Sequence, residues 1–153
     1  MNRAQATRRQ FLAATAGAGT ALLVRPAAAT PESMASAIRQ VVGEANVKPG
    51  RIKLELPPLV ENGNTVAMSV AVESPMTAQD HVKAIHVFTE KNPQPNVISV
   101  KLGPRAGKAE IQTRVRLADT QTVVAICEMS NGSFWSDKID VVITLGACLE
   151  DPV

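Results

Sequence analysis

The last third of this chain contains the alternating stretch Ala109-Glu110-Ile111-Gln112-Thr113-Arg114-Val115-Arg116-Leu117. Apolar residues and threonine occupy every second position, and charged or amide side chains fill the positions between them. A period of two is typical of a β-strand with one buried face and one face in water. The stretch therefore predicts an amphipathic strand at the surface of a sheet.

The same period recurs on both sides of this stretch. It predicts further strands over residues 52–56, 66–72, 84–89, 97–102, 121–128 and 138–145. Turn-forming sequences rich in proline, glycine and asparagine separate them, such as Asn92-Pro93-Gln94-Pro95 and Asn131-Gly132. These connections are too short for the crossover helices that parallel strands need. We therefore predict an all-β chain folded as an antiparallel β-sandwich of about seven strands.

One short helix is predicted before the strands. Thr30 supplies a hydroxyl at the N-cap, Pro31 follows at the first helical position, and Glu32 lies near the positive end of the helix dipole. Apolar residues then recur at helical spacing up to Val42, and the helix is expected to end near Asn46. Its apolar face is expected to pack on the main domain or on a partner.

The amino terminus resembles an export signal. The sequence Thr7-Arg8-Arg9-Gln10-Phe11-Leu12 is a twin-arginine pattern, and an apolar run over residues 13–24 and Ala27-Ala28-Ala29 follow it. The run is shorter than the roughly 20 residues that a membrane-spanning helix needs, and the alanines form an A-x-A cleavage site. We predict a signal peptide over residues 1–29, export of the folded chain to the periplasm, and a single mature domain over residues 30–153. An uncleaved membrane anchor is the alternative.

Removal of this signal reverses the net charge. The whole chain has sixteen basic and fourteen acidic residues and a net charge of +2. The signal contains four arginines and no acid, so the mature chain has twelve basic residues against the same fourteen acidic ones, a net charge of −2. With few aromatics and no basic cluster, the mature chain lacks the features of a nucleic-acid-binding protein.

The two cysteines have different surroundings in the sequence. Cys127 lies within a predicted strand and is expected to be buried and inert. Cys148 lies five residues from the carboxyl end, after a strand and two residues beyond Gly146, whose backbone freedom is expected to make the tail flexible. A disulfide between the two is the alternative, because the compartment beyond the inner membrane is oxidising.

Catalytic motifs are scarce in this sequence. His81 and His86 are five residues apart, which places them on opposite faces of a strand and argues against a metal pair. Nucleotide-binding glycine loops, nucleophile elbows and zinc-spaced cysteines are missing, so we predict no catalytic residue, no metal and no cofactor. Arg114, Arg116 and Asp119 are expected on a solvated face. Trp135 is expected either on a contact surface or as a cap of the core.

Several segments together resemble the SoxY family, the sulfur-carrier subunits of bacterial thiosulfate oxidation. The similar segments are Leu56-Pro57, Glu61-Asn62-Gly63-Asn64-Thr65-Val66, Val72-Glu73-Ser74-Pro75-Met76, Lys91-Asn92-Pro93-Gln94-Pro95, Thr113-Arg114-Val115-Arg116-Leu117-Ala118, Thr120-Gln121 and Ser130-Asn131-Gly132-Ser133. The resemblance implies an immunoglobulin-like sandwich that pairs with SoxZ, a small all-β subunit, as a heterodimer or heterotetramer.

The resemblance also implies a carrier protein rather than an enzyme. Cys148 matches the carrier cysteine, the site of covalent attachment of thiosulfate-derived sulfur. Separate enzymes, SoxXA, SoxB and SoxCD-like proteins, would dock transiently and act on the bound sulfur. Neither a membrane nor a nucleic acid is implied as a partner.

The cysteine tail departs from the family pattern. SoxY ends in Gly-Gly-Cys-Gly-Gly, whereas this chain ends in Gly146-Ala147-Cys148-Leu149-Glu150-Asp151-Pro152-Val153. Two functions follow from the comparison. The favoured one is a covalent sulfur carrier of the periplasm, and the alternative is a SoxY-like binding or assembly module of another periplasmic oxidation system.

Overall fold

A computed structural model describes residues 29–146 of the chain. The described residues form one α-helix, a short 3-10 turn at Pro104–Ala106 and nine strands. The helix is α1 (Pro31–Val42), and the strands are β1 (Val47–Pro49), β2 (Ile52–Glu55), β3 (Leu59–Val60), β4 (Val66–Val72), β5 (Val82–Thr89), β6 (Asn96–Lys101), β7 (Ala109–Val115), β8 (Gln121–Met129) and β9 (Phe134–Ile143). Of the signal predicted over residues 1–29, residues 1–28 lie outside the described part, which starts at Ala29.

Two sheets enclose a shared core. The larger has the order β1-β9-β8-β5-β6 with β3 also paired to β9, and the smaller has the order β2-β4-β7. One hydrophobic cluster contains residues from both sheets, among them Val70 of β4 and Val87 of β5. The predicted all-β sandwich is confirmed.

All seven predicted strands are present, and two short ones were missed. The long strands pair antiparallel as predicted, but β1 and β3 pair in parallel with β9. Segments of three and two residues are too short to show a period. Strand β7 alternates less cleanly than its sequence predicts, because Thr113 is exposed where the pattern places a buried residue. Thr113 is exposed because β7 is an edge strand, and its free edge borders a solvent-filled cleft between β7 and β6.

Helix α1 begins as predicted and ends early. The Thr30 hydroxyl accepts a hydrogen bond from the Ser33 amide at 3.2 Å, and the Ser33 hydroxyl accepts one from the Thr30 amide at 2.7 Å. The helix ends at Val42 rather than near Asn46 because Gly43 adopts a φ of 60° and its amide donates to the Arg39 carbonyl at 2.8 Å.

The apolar face of α1 packs on the outer side of the larger sheet. Its contacts form a second cluster of buried residues: Met34, Val42, Phe88, Ile126 and Phe134. The helix therefore covers the domain itself, and β5 and β8 are buried on both faces. No helix among residues 29–146 is long and apolar enough to cross a membrane.

Candidate functional site

The final strand is held on both sides where it ends. On one side, the Val142 amide donates to the Pro58 carbonyl at 2.9 Å, and the Thr144 amide donates to the Val60 carbonyl at 3.0 Å. On the other side, the Ile143 amide donates to the Thr120 hydroxyl at 2.9 Å. These hydrogen bonds fix the direction in which the chain leaves the sheet.

A loop over residues 61–64 anchors the last described residues. The buried Gly63 donates its amide to the Leu145 carbonyl at 2.8 Å and accepts from the Leu117 amide at 2.9 Å. The Thr144 hydroxyl donates to the Glu61 carbonyl at 3.0 Å. In the sequence this loop was only a turn signal and a family-like segment, and nothing there indicated its contact with the tail.

The predicted attachment residue Cys148 lies outside the described residues, three positions beyond Leu145. Gly146, the last described residue, is half-buried and makes no hydrogen bond to other described residues. Three residues extend about 10 Å at most. The roles of Cys148 in attachment and of Gly146 in flexibility therefore stay predictions, on a tail whose base is firmly held.

Three apolar side chains lie exposed around this base. Leu59 is 61% exposed, Val142 49% and Leu145 59%, and Leu59 and Val142 are register partners between β3 and β9. We call these three residues the tail-base patch. Clustered exposed apolar side chains often mark contact surfaces with other proteins.

Cys127 is buried as predicted. Its side chain is fully enclosed by the core, its thiol is free, and its strand neighbours are Ile85 and Trp135. Burial raises the pKa of the Cys127 thiol to about 11. Because the thiolate is the reactive form, Cys127 is unreactive in the folded protein.

This burial predicts a pH dependence of stability. Below pH 9 the thiol is protonated in both states, whereas between pH 9 and 11 only the unfolded chain ionises, so stability is lost as pH rises. Urea unfolding of a Cys148→Ser protein should lose about 2 kcal/mol more across this range than the same protein with Cys127→Ala. Equal losses in the two proteins would contradict the assignment.

The histidines have separate structural partners. Nδ1 of His81 lies 3.0 Å from the Thr77 carbonyl, and Nδ1 of His86 lies 2.9 Å from the Ser99 hydroxyl. Partial burial lowers the pKa of His86. Within residues 29–146, no three His, Cys, Asp or Glu side chains are grouped so that they could hold a metal ion.

The remaining candidates lie on the surface or at the edge of the core. Asp119 forms an ion pair with Lys91 at 3.0 Å, and the hydrogen bond from Lys91 lowers the pKa of this carboxyl. Arg114 and Arg116 are exposed, as predicted. Trp135 packs against the core beneath Lys48 and Arg51, at 5.6 and 5.8 Å from its ring, and so caps the core.

Comparison with known proteins identifies the family. The family model for SoxY, sulfur oxidation protein SoxY, matches residues 38–148. The sulfur carrier protein SoxY from Chlorobium limicola f thiosulfatophilum has a similar structure, with a TM-score of 0.63 and 27% identity over 74% of this chain and 98% of that chain.

Superoxide reductase (neelaredoxin) from Ignicoccus hospitalis is also similar, with a TM-score of 0.55 and 16% identity over 75% of this chain and 94% of that chain. At this identity the likeness concerns the fold alone. The comparison with curated proteins found no match. The family match covers most of the chain and the similar SoxY structure is covered almost completely, so this chain belongs to the SoxY family of sulfur oxidation proteins.

Proposed function

We propose that this protein is a periplasmic sulfur carrier that holds thiosulfate-derived intermediates covalently on Cys148. The observation that carries the proposal is that the family match extends to residue 148, just beyond a strand end held by hydrogen bonds. A tail that starts from such a base leaves the domain at a fixed place, about 10 Å at most from its thiol-bearing residue. Residues 1–29 act as the twin-arginine signal that exports the folded chain.

The chemistry suits a thiol. Coupling of thiosulfate to Cys148 forms a sulfur–sulfur bond, releases the thiol proton and passes two electrons to a haem partner of the SoxXA type. A SoxB-like hydrolase then releases sulfate, and a SoxCD-like dehydrogenase oxidises the remaining sulfur. Sulfur–sulfur bonds exchange through thiolates, so the carrier can be unloaded and used again. Cys127 is too deeply buried to substitute.

Intact-mass spectrometry of protein from cells grown on thiosulfate tests the proposal. We expect wild-type protein and the Cys127→Ala variant to carry added mass that a reductant removes, and Cys148→Ser to carry none. The same spectra report whether the mature chain begins at Thr30. An unmodified wild-type chain would exclude the carrier and favour a binding or assembly module.

We also propose that a SoxZ-like all-β subunit covers the tail-base patch. The exposure of Leu59, Val142 and Leu145 supports this, because a partner there would remove apolar surface from water beside the tail.

We expect the two subunits to co-purify from periplasm. Leu59→Glu should weaken the complex about tenfold, or about 1.4 kcal/mol. Ala71→Glu, at an exposed position of β4 in the smaller sheet, should leave the affinity of the complex unchanged. A monodisperse monomer from the native source would contradict the proposal.

A further inference from the structure

The smaller sheet ends in β7, whose outer edge is free. Within residues 29–146, β7 pairs with β4 and with no other strand. It is seven residues long, contains no proline and keeps one register with β4 along its whole length. A cleft of about 560 Å³ lies between the end of β7 and β6 of the other sheet, so a further strand has room to approach. Long, regular edges of this kind are templates for pairing with another chain.

The other sheet edges in the described part are less open. At the far edge of the smaller sheet, the Leu54 amide of β2 donates to the Asp137 carboxylate of β9 at 2.9 Å, which occupies this edge. Strand β1 has three residues and ends in Pro49, which has no amide. Strand β6 has six residues, and its pairing with β5 shifts register between Val87 and Phe88. Of these edges, β7 is therefore the longest and most regular.

Hydrogen bonds show which backbone groups of β7 face its free edge. The Glu73 amide, directly after β4, donates to the Arg51 carbonyl on the β2 side at 2.7 Å. Backbone groups alternate in direction along a strand, so the odd-numbered residues of β4 face β2 and the even-numbered ones face β7. These even-numbered residues are the register partners of the odd-numbered residues of β7. The amides and carbonyls of Glu110, Gln112 and Arg114 therefore point outward from the free edge.

The residues after β7 agree with this direction. The Asn92 side-chain amide donates to the Arg116 carbonyl at 2.8 Å, and the Asn92 side-chain oxygen accepts from the Ala118 amide at 3.0 Å. The Leu117 amide points the opposite way and donates to the Gly63 carbonyl at 2.9 Å. Even-numbered positions thus face away from β4, and those beyond the end of β7 already have partners.

The side chains at the free edge form a self-complementary row. Glu110, Gln112 and Arg114 are exposed on the outer face, with the acid at one end, the arginine at the other and the amide between them. The Gln112 amide donates to the Glu110 carboxylate at 2.6 Å. Neither Glu110 nor Arg114 makes a salt bridge to another residue of the described part. Antiparallel pairing of two copies of this row about Gln112 places each acid opposite an arginine, an arrangement that stabilises strand pairs.

We propose that two copies of this chain pair through β7, antiparallel about a two-fold axis at Gln112. Glu110 lies opposite Arg114 of the second copy, and the symmetry forms the same pair again. The three opposed pairs form about six backbone hydrogen bonds, two for each pair. The two three-stranded sheets become one continuous sheet. The inference depends neither on sulfur transport by Cys148 nor on a SoxZ-like partner, because it concerns β7 alone.

The neighbouring registers use this edge less fully. A shift in either direction places Gln112 opposite Arg114 or Glu110 and leaves two hydrogen-bonded pairs instead of three. One shift brings Glu110 opposite Arg116, whose carbonyl is already bonded. The other brings Arg114 opposite Lys108, a like charge. In the proposed register Lys108 and Arg116 form the next pair outward, but both are exposed, lie beyond the strand ends and bond their backbone within their own chain.

Pairing also covers the inner side of the open edge. Ile111 is half-buried and Thr113 is exposed, although both alternate with the outer-face residues of β7. In the proposed register Ile111 lies opposite Thr113 of the second copy, in a pair without mutual hydrogen bonds, where side chains are closest. Val97 and Ile98 of β6 line the cleft beside them and are half-buried. A second copy therefore removes apolar surface from water.

Sedimentation equilibrium of charge variants tests the register. We expect the mature Cys148→Ser chain to dimerise, and either Glu110→Arg or Arg114→Glu to raise its dissociation constant at least about tenfold, because two opposed pairs change from attraction to repulsion. An equimolar mixture of these two variants should dimerise like the parent chain, since one has only arginine and the other only glutamate at the two positions. Misfolded variants would not give this rescue. Lys138→Glu, an exposed change of charge on β9, should leave the constant unchanged.

Nitroxide labels locate the two-fold axis. A label at Gln112→Cys should show strong dipolar broadening, because opposed residues have Cβ atoms about 5 Å apart. Glu55→Cys lies in the same cross-strand row on β2, and its label should be five strand spacings, about 24 Å, from its counterpart. Ser99→Cys reports on the edge of β6. The labels are placed in the Cys148→Ser chain, where the remaining Cys127 is buried.

Four results would overturn the proposal. The first is a parent chain that is still monomeric at about 1 mM, and the second is a mixture of the two charge variants that does not dimerise. The third is broadening at Ser99→Cys but not at Gln112→Cys, which would assign the contact to β6. The fourth is loss of the dimer and of the broadening at Gln112→Cys when a SoxZ-like subunit is added, which would assign the β7 edge to that partner.

Discussion

Replacement of Cys148 by serine is expected to lower thiosulfate-dependent oxygen uptake to the level of cells without the protein. A serine oxygen cannot form the reversible sulfur–sulfur bond on which transfer between enzymes depends. Because the substitution lies three residues beyond Leu145, the last residue of the described part that a backbone hydrogen bond holds, the melting temperature should not change. The loss would then report chemistry rather than folding.

The control for this experiment is the other cysteine. Cys127→Ala removes a thiol that is enclosed by the core, and it should retain most of the uptake provided that the variant folds. Complementation of a deletion strain, with protein levels checked by immunoblot, gives the comparison. Wild-type uptake by the Cys148→Ser strain would mean that sulfur is not carried on this residue.

Replacement of Phe88 by alanine is expected to cost about 3–5 kcal/mol of the free energy of unfolding. Phe88 is fully buried on β5, in the cluster that joins α1 to the outer side of the larger sheet. Its removal leaves a cavity beneath the helix. Urea unfolding should show the loss, and amide exchange should be faster across α1.

Two variants calibrate this result. Phe88→Leu keeps most of the volume and should cost less than about 1.5 kcal/mol. Val142→Ala changes a side chain that is 49% exposed and should alter stability by less than about 0.5 kcal/mol. A loss below about 1 kcal/mol for Phe88→Ala would show that α1 contributes little to the domain.

The strands were predictable because a strand with one buried face has alternating apolar and polar residues in its sequence. In β2 and β4 every second side chain is buried, as the period of two requires. Strand β8 departs from that pattern, since Ala125, Ile126 and Cys127 are all buried. The second face of β8 is covered by α1, so the burial of Ile126 follows from the position of the helix and not from the period of the strand. Strands β1 and β3 escaped prediction because they exist only through their pairing with β9.

In the candidate site, too, some features could be predicted from the sequence and others required the folded structure. The position of Cys148 after the last strand and the charges that follow it are local properties, and composition and spacing were sufficient to reveal them. The anchoring of the tail base through Gly63 and Thr120, and the placement of Arg116 beside that base, depend on hydrogen bonds between residues that are distant in the chain. Periodicity records which way a side chain faces, whereas such contacts arise only when the strands pack, so the folded domain was needed to find them.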